Sequence, residues 1–210
     1  MVNMSKRTWF YIAFFAALVV TFYVVMTKVL PGFGKVDLPV LSYVQPFSFT
    51  NQSGDTITQH DLEGKVAVVE YFFTTCKGIC PRMNENMKKV YAVYKNEPDF
   101  RILSHTVDPD TDSVPRMKTY AESLGANAST WWFLTGSKDS LYAAARNSYL
   151  LDDPKNNTGS MDEQFIHTQF FALVDKQGKV RKIYDGLKKE EVDNLIGDIK
   201  KLLKEKAYFL

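Results

Sequence analysis

Apolar residues along the chain fall into three kinds of run. The first is continuous: residues 9–26 are apolar except for Thr21, and no charge lies between Arg7 and Lys28. At about 1.5 Å per residue this run reaches roughly 27 Å as a helix, and the flanking Thr8 and Thr27 bring it near a hydrocarbon core of about 30 Å. The second kind is short, β-branched and aromatic. Residues 65–73 (KVAVVEYFF), 100–107, 131–134, 167–175 and 179–184 read as strands, the first of a type buried on both sheet faces. The third kind recurs with a helical period. It covers residues 82–95 (Met83, Met87, Val90, Ala92, Tyr94), 114–124 closed by Gly125, and 138–149. It returns in residues 188–204, with Val192, Leu195, Ile196, Ile199, Leu202 and Leu203 on one face.

Turn chemistry connects these runs. Asn51-Gln-Ser-Gly between Phe47-Ser-Phe-Thr and Asp55-Thr-Ile-Thr predicts a β-hairpin, and the polar residues 152–164 predict a long loop. Strands alternating with helices and ending in a hairpin predict a layered α/β sheet. The expected organisation is a membrane anchor over residues 1–30, a Pro- and Gly-containing tether over 31–46, and one domain over 47–210.

A cleaved signal peptide is the main competitor to an anchor. Its apolar region is usually shorter and ends in a small-x-small site, whereas Val-Met-Thr-Lys-Val-Leu-Pro closes this run. A lipoprotein would need a cysteine there, and none is present. Lys6, Arg7 and the terminal amine precede the span, while Lys28 and Lys35 follow it. The positive-inside bias then puts the N-terminus in the cytoplasm and the domain outside. Without an Arg- and Ser-rich transit segment, the expected site is a bacterial inner or plasma membrane, with the domain facing the periplasm or exterior.

Composition narrows the function classes. The 210 residues are 45% hydrophobic and 24% charged with a net charge of +2, which argues against disorder and against a nucleic-acid surface. The Lys-rich stretch 188–206 reads as the solvated face of a helix.

Chemistry concentrates at Cys76 and Cys80, the only two cysteines, in Thr-Thr-Cys-Lys-Gly-Ile-Cys-Pro. They follow a core strand, where open α/β sheets present their ligand sites. Pro81 suits the first turn of a helix, which puts Cys80 at the helix start, where the dipole favours a thiolate. Three intervening residues, Gly78 among them, let both sulfurs meet each other or share a metal. A structural disulfide closing so small a loop would constrain the unfolded chain little, so a redox or metal role is preferred.

His167 supplies the company that sharpens this pair. Alone, a histidine opening a strand is usually a bystander. Two thiolates and an imidazole nevertheless suit Cu(I), and fall one ligand short of a closed structural zinc site. His60, in a polar turn, reads as surface.

At this point the chain resembles the Sco/SenC copper chaperones. YFFTTCKGICP resembles their C-x3-C-P motif, and Thr106-Val-Asp-Pro-Asp-Thr-Asp their S-x-D-P-x-x-D segment. Trp132-Phe-Leu-Thr-Gly resembles their W-x-x-L-T-G strand, and His167-Thr-Gln-Phe-Phe-Ala-Leu-Val-Asp-Lys-Gln-Gly the strand opened by their metal-binding histidine. The resemblance implies a thioredoxin-like fold in which Cys76, Cys80 and His167 bind Cu(I) or Cu(II). It also implies a partner: the copper-bearing subunit of cytochrome c oxidase, to whose binuclear centre such proteins deliver copper or whose cysteines there they keep reduced.

Two departures stand out. Ile166 replaces the Asp that often precedes the histidine and can orient its imidazole, with Asp162 or Glu163 as substitutes. His105 stands where the family usually has an apolar residue, and reads as structural. Asp108 and Asp112 match the family motif, yet Asp-Pro-x-x-Asp also describes a turn capping a helix. The alternative function is a membrane-tethered thiol-disulfide oxidoreductase using Cys76 and Cys80 as a redox pair. A peroxidase with Cys76 as the peroxidatic thiol lacks an arginine placed to activate the peroxide.

Overall fold

The computed structural model describes residues 5–29, 38–152 and 168–206. The chain divides into two units, Met1–Leu38 and Pro39–Leu210. In the first, helix α1 (Lys6–Val29) carries the apolar run, and its stretch Lys6–Met26 is long and apolar enough to cross a membrane.

The second unit is built on one eight-stranded sheet, in the order β1-β8-β7-β4-β5-β6-β2-β3. Strands β4 (Val66–Phe72), β5 (Phe100–Thr106) and β6 (Trp131–Thr135) are parallel and central. Every residue of β4 is buried, as its unbroken apolar run predicts. The hairpin β7 (Phe170–Val174) and β8 (Lys179–Asp185) joins β4 antiparallel. On the other side β2 (Ser48–Asn51) and β3 (Thr56–Thr58) form the predicted hairpin, and β2 pairs with β6.

Side chains alternate across this sheet, so each strand feeds two cores. One face receives α2 (Cys80–Tyr94), α3 (Val114–Leu124) and α5 (Lys189–Leu203). There Tyr94 packs on Phe100, Tyr120 stacks on Phe72, and the Tyr184 hydroxyl donates to Asp198 at 2.8 Å. The other face receives α4 (Lys138–Ala143), tied down where the Tyr71 hydroxyl donates to the Leu141 carbonyl at 2.9 Å. Gly125 ends α3 as expected, at φ 70°, a conformation that L side chains rarely adopt.

Three differences from the predicted elements have local causes, whereas Cys80 starts α2 as Pro81 predicts. The helix expected over residues 138–149 changes to a π-helical turn at Ala144–Ser148, where the Tyr149 N–H donates to the Ala144 carbonyl at 3.0 Å. That wider turn carries the Tyr149 ring into the core, where it is fully buried. Strand β7 starts at Phe170, paired with Asp185, because β8 ends there. Last, the stretch read as tether carries a short edge strand, β1 (Ser42–Tyr43). It pairs with β8, and Leu41 and Val44 donate to Val180 and Gly178.

Candidate metal centre

The site grows out of the C-terminal edge of the parallel strands. After β4 the chain makes a tight turn in which the Cys76 N–H donates to the Phe73 carbonyl at 3.2 Å. It then reaches Cys80, the first residue of α2, with Pro81 in the first helical turn. Proline fits there because that N–H has no intrahelical partner.

Both cysteines are free thiols; Cys76 is half-buried and Cys80 is buried. A helix start by itself favours a thiolate at Cys80. Burial outweighs it and pushes the thiol up to about 12, helped by the hydrogen bond to Cys76 and, more weakly, by the charges of Cys76 and Glu70. Only a hydrogen bond from the Phe73 backbone opposes the shift. Proton loss at Cys80 is therefore disfavoured in the free pair. A soft cation bound by both sulfurs would offset this, because a coordinating thiol is deprotonated outright.

Both thiols line a cavity of about 480 Å³ whose walls include Tyr71, Phe73, Ile79, Val107 and Thr168. Thr168 is buried and precedes β7. His167, its neighbour in the chain, lies outside the described residues, as do Ile166, Asp162, Glu163 and the rest of the stretch from residue 153 for which the sequence predicts a loop. Among the described residues, no group of three or more His, Cys, Asp or Glu side chains gathers as a metal site.

The other singled-out residues sort by position. His60 is exposed and bonds Glu63 at 2.6 Å. His105 is fully buried on the face away from α2, in a cage of the Phe47, Phe49, Tyr71 and Tyr149 rings. Neither ring nitrogen has a hydrogen-bond partner, and burial lowers its pKa to about 3, so it is a neutral core residue. Asp108 shapes the turn after β5, where the Asp112 N–H donates to its carbonyl at 2.9 Å. Asp112 does not cap α3, whose N-cap is Ser113. Its buried carboxylate instead accepts from the Thr74 N–H and hydroxyl and from the Thr106 hydroxyl.

Two features near the cysteines escaped the sequence reading. Thr74 and Arg116 join Asp112, with the Arg116 Nε donating to the Thr74 Oγ1 at 2.7 Å. Glu70 sits fully buried on β4 facing α2, accepting from the Ser104 hydroxyl at 2.6 Å, with its other oxygen unpaired. Burial raises its pKa to about 7, against the smaller lowering effect of that hydrogen bond. The legible signal for Glu70 was one carboxylate inside an otherwise apolar strand.

A sequence profile of the SCO1/SenC family matches residues 38–204. The chain belongs to the SCO1/SenC family. The SCO1 protein homolog of Bacillus subtilis (strain 168) is 34% identical over 173 residues, which cover 80% of this chain and 87% of that protein. Among solved structures, BsSco is a member of the Sco family of cytochrome c oxidase assembly proteins in which a disulfide switch was identified. It superimposes with a TM-score of 0.68 at 32% identity, over 81% of this chain and 99% of its own. Yeast Sco1 with copper bound matches with a TM-score of 0.58 at 25% identity, over 80% of this chain and 99% of its own. The SCO1/SenC domain is thioredoxin-like, as the resemblance implied, with the cysteines at the strand ends that this fold uses for ligands.

Proposed function

We propose that this chain is a membrane-anchored copper metallochaperone. Cys76, Cys80 and His167 hold the ion, and the cargo serves assembly of the binuclear copper centre of cytochrome c oxidase. The observation that carries the reading is the shared cavity. The two thiols and Thr168 line one space, and Thr168 is bonded directly to His167. Two sulfurs and one imidazole favour Cu(I), because soft ligands select it and the set is too small for closed structural zinc. A Sco relative holds copper, and BsSco is an oxidase assembly protein, which supports the same role here. Helix α1 supports tethering, with the recipient being the copper-bearing subunit of the oxidase.

A second reading has its own support. The cysteines are free and line one cavity, and BsSco carries a disulfide switch, so a thiol-disulfide oxidoreductase acting through Cys76 and Cys80 is the alternative.

His167→Ala separates the two. Copper transfer needs the imidazole, whereas dithiol exchange needs only accessible thiols. In the full-length chain purified in detergent, the variant should lose at least about 10- to 100-fold in Cu(I) affinity, measured against a competing chelator. The equilibrium of the cysteine pair with glutathione should stay at its wild-type value. Unchanged affinity with lost oxidase activity in cells would establish the oxidoreductase instead.

A further inference from the structure

Of the two cysteines, only Cys80 is fixed by regular structure. It starts α2 and is buried, whereas Cys76 is half-buried on the loop between β4 and α2. Where the sulfurs stand relative to one another therefore depends on what holds that loop. The turn that presents Cys76 runs from Phe73 to Cys76, closed by the bond between the Cys76 N–H and the Phe73 carbonyl. Thr74 lies inside this turn, and both of its polar backbone and side-chain donors go to one residue. Its N–H reaches the Asp112 carboxylate at 3.1 and 3.3 Å, and its hydroxyl donates to Oδ1 of the same carboxylate.

Asp112 is suited to this task. Its side chain is 0% exposed and also accepts from the Thr106 hydroxyl at 2.6 Å, on the last residue of β5. Phe72 and Thr106 are register partners, so the carboxylate ties together the ends of adjacent parallel strands. Arg116, in the first turn of α3, closes the arrangement from the solvent side. Its Nε donates to the Thr74 hydroxyl oxygen and stands 3.9 Å from Asp112 Oδ1. An N–H, two hydroxyls and a nearby guanidinium thus take the place of the solvent this buried side chain has lost.

We propose that Asp112 is a positioning residue for the dithiol: through Thr74 it fixes where the loop carrying Cys76 leaves β4. It touches neither cysteine. It acts by setting the geometry in which the two sulfurs meet, and so tunes both the exchange of the pair with thiols and, resting on the reading above, its grip on copper. In that exchange Cys76 and Cys80 lose two hydrogens to form one disulfide, while one glutathione disulfide is reduced to two thiols. The clamp is in place with both cysteines free; on this proposal it holds the loop more tightly in that state than in the bridged one, so its loss favours the disulfide.

The test uses the full-length chain in detergent with Asp112→Asn, Thr74→Val and Thr74→Ser. Asparagine puts an NH₂ where an oxygen accepts, valine deletes the hydroxyl, and serine keeps it. Asp112→Asn and Thr74→Val should move the equilibrium with glutathione toward the disulfide by about tenfold, or about 30 mV. They should also weaken Cu(I) binding by about 10- to 100-fold, while Thr74→Ser stays near wild type in both. If both disruptive variants merely unfold more easily and keep the wild-type redox equilibrium, Asp112 is structural and the proposal fails. Should Asp112→Asn not fold, the Thr74→Val and Thr74→Ser pair decides by the same criterion. A wild-type chain that binds no copper would sink the chaperone reading, while the redox equilibrium would still judge the clamp.

Discussion

Tyr71 and His105 stand side by side on adjacent parallel strands, rings stacked with centroids 5.1 Å apart and an interplanar angle of 20°. One residue back on each strand, Glu70 and Ser104 form the equivalent pair on the opposite face, joined by a 2.6 Å hydrogen bond. Two ionisable groups are thus buried back to back in the middle of the sheet, with pKa values shifted in ways that oppose each other.

Their opposition predicts an unusual stability profile. His105 falls from 6.5 to about 3 on folding, so between these values the unfolded chain binds the extra proton and stability drops as pH falls. Glu70 rises from 4.5 to about 7, so across that window the folded chain holds the extra proton and stability drops as pH rises. Each group alone tilts stability by at most about 1.4 kcal/mol per pH unit. Where the windows overlap the tilts offset. Thermal unfolding of His105→Phe should show stability falling as pH rises through the overlap, and Glu70→Gln should show it rising. Parallel profiles for the two variants would contradict the burial assigned to these groups.

Gly186 follows β8, and its N–H donates to the Gln169 carbonyl at 2.8 Å. A Cβ there would lie 2.6 Å from the Phe171 ring and 2.8 Å from that carbonyl. The ring can shift, but the carbonyl belongs to the backbone two residues beyond His167. Gly186→Ala should therefore destabilise by about 1–3 kcal/mol, as overpacking does, measured by urea unfolding. It should also weaken Cu(I) binding more than an equally destabilising change far from the cavity, such as Leu202→Val on α5. Equal effects on copper would detach the start of β7 from the metal site.

The proposed topology is testable without touching the chemistry. A reporter active only when exported, fused after Leu210, should be active, and the chain should fractionate with membranes. Replacing Ala17 by Arg should impair insertion, since a charge near the centre of a span costs about 2.5–3.5 kcal/mol. Mature protein that begins beyond residue 26 would show that α1 is a cleaved leader.

What was legible in the sequence was what local pattern determines. The unbroken apolar run of β4, the Asn51-Gln-Ser-Gly turn and the Gly125 terminus all announced their elements, because strand burial, turns and left-handed caps each demand particular residues nearby. The cysteine pair was legible because its partners lie four positions apart. The clamp was not: Thr74 and Asp112 are 38 residues apart, and an Asp-Pro-x-x-Asp segment looks like a turn whichever way its second carboxylate points. Strand β1 was equally hidden, because two residues carry no periodicity and their partners Val180 and Lys179 come late in the chain. The π-helical turn left no mark because the apolar spacing runs through it unchanged.

The polar chain through the centre of the sheet has a consequence for folding fidelity. Trp131 has only an N–H to give, and gives it to the Ser104 oxygen at 2.8 Å, so the serine hydroxyl hydrogen is left for Glu70. The direction of this chain is fixed across β4, β5 and β6. Apolar strands are poor at recognising their neighbours, since one valine matches another. Here a slip of one residue would turn Glu70 toward the aromatic cage of His105 and leave both the carboxyl and the indole N–H without partners in the core. Three polar side chains thus act as a key that only the correct alignment of the central strands accepts. The edge of the sheet that presents the two cysteines inherits its alignment from that key.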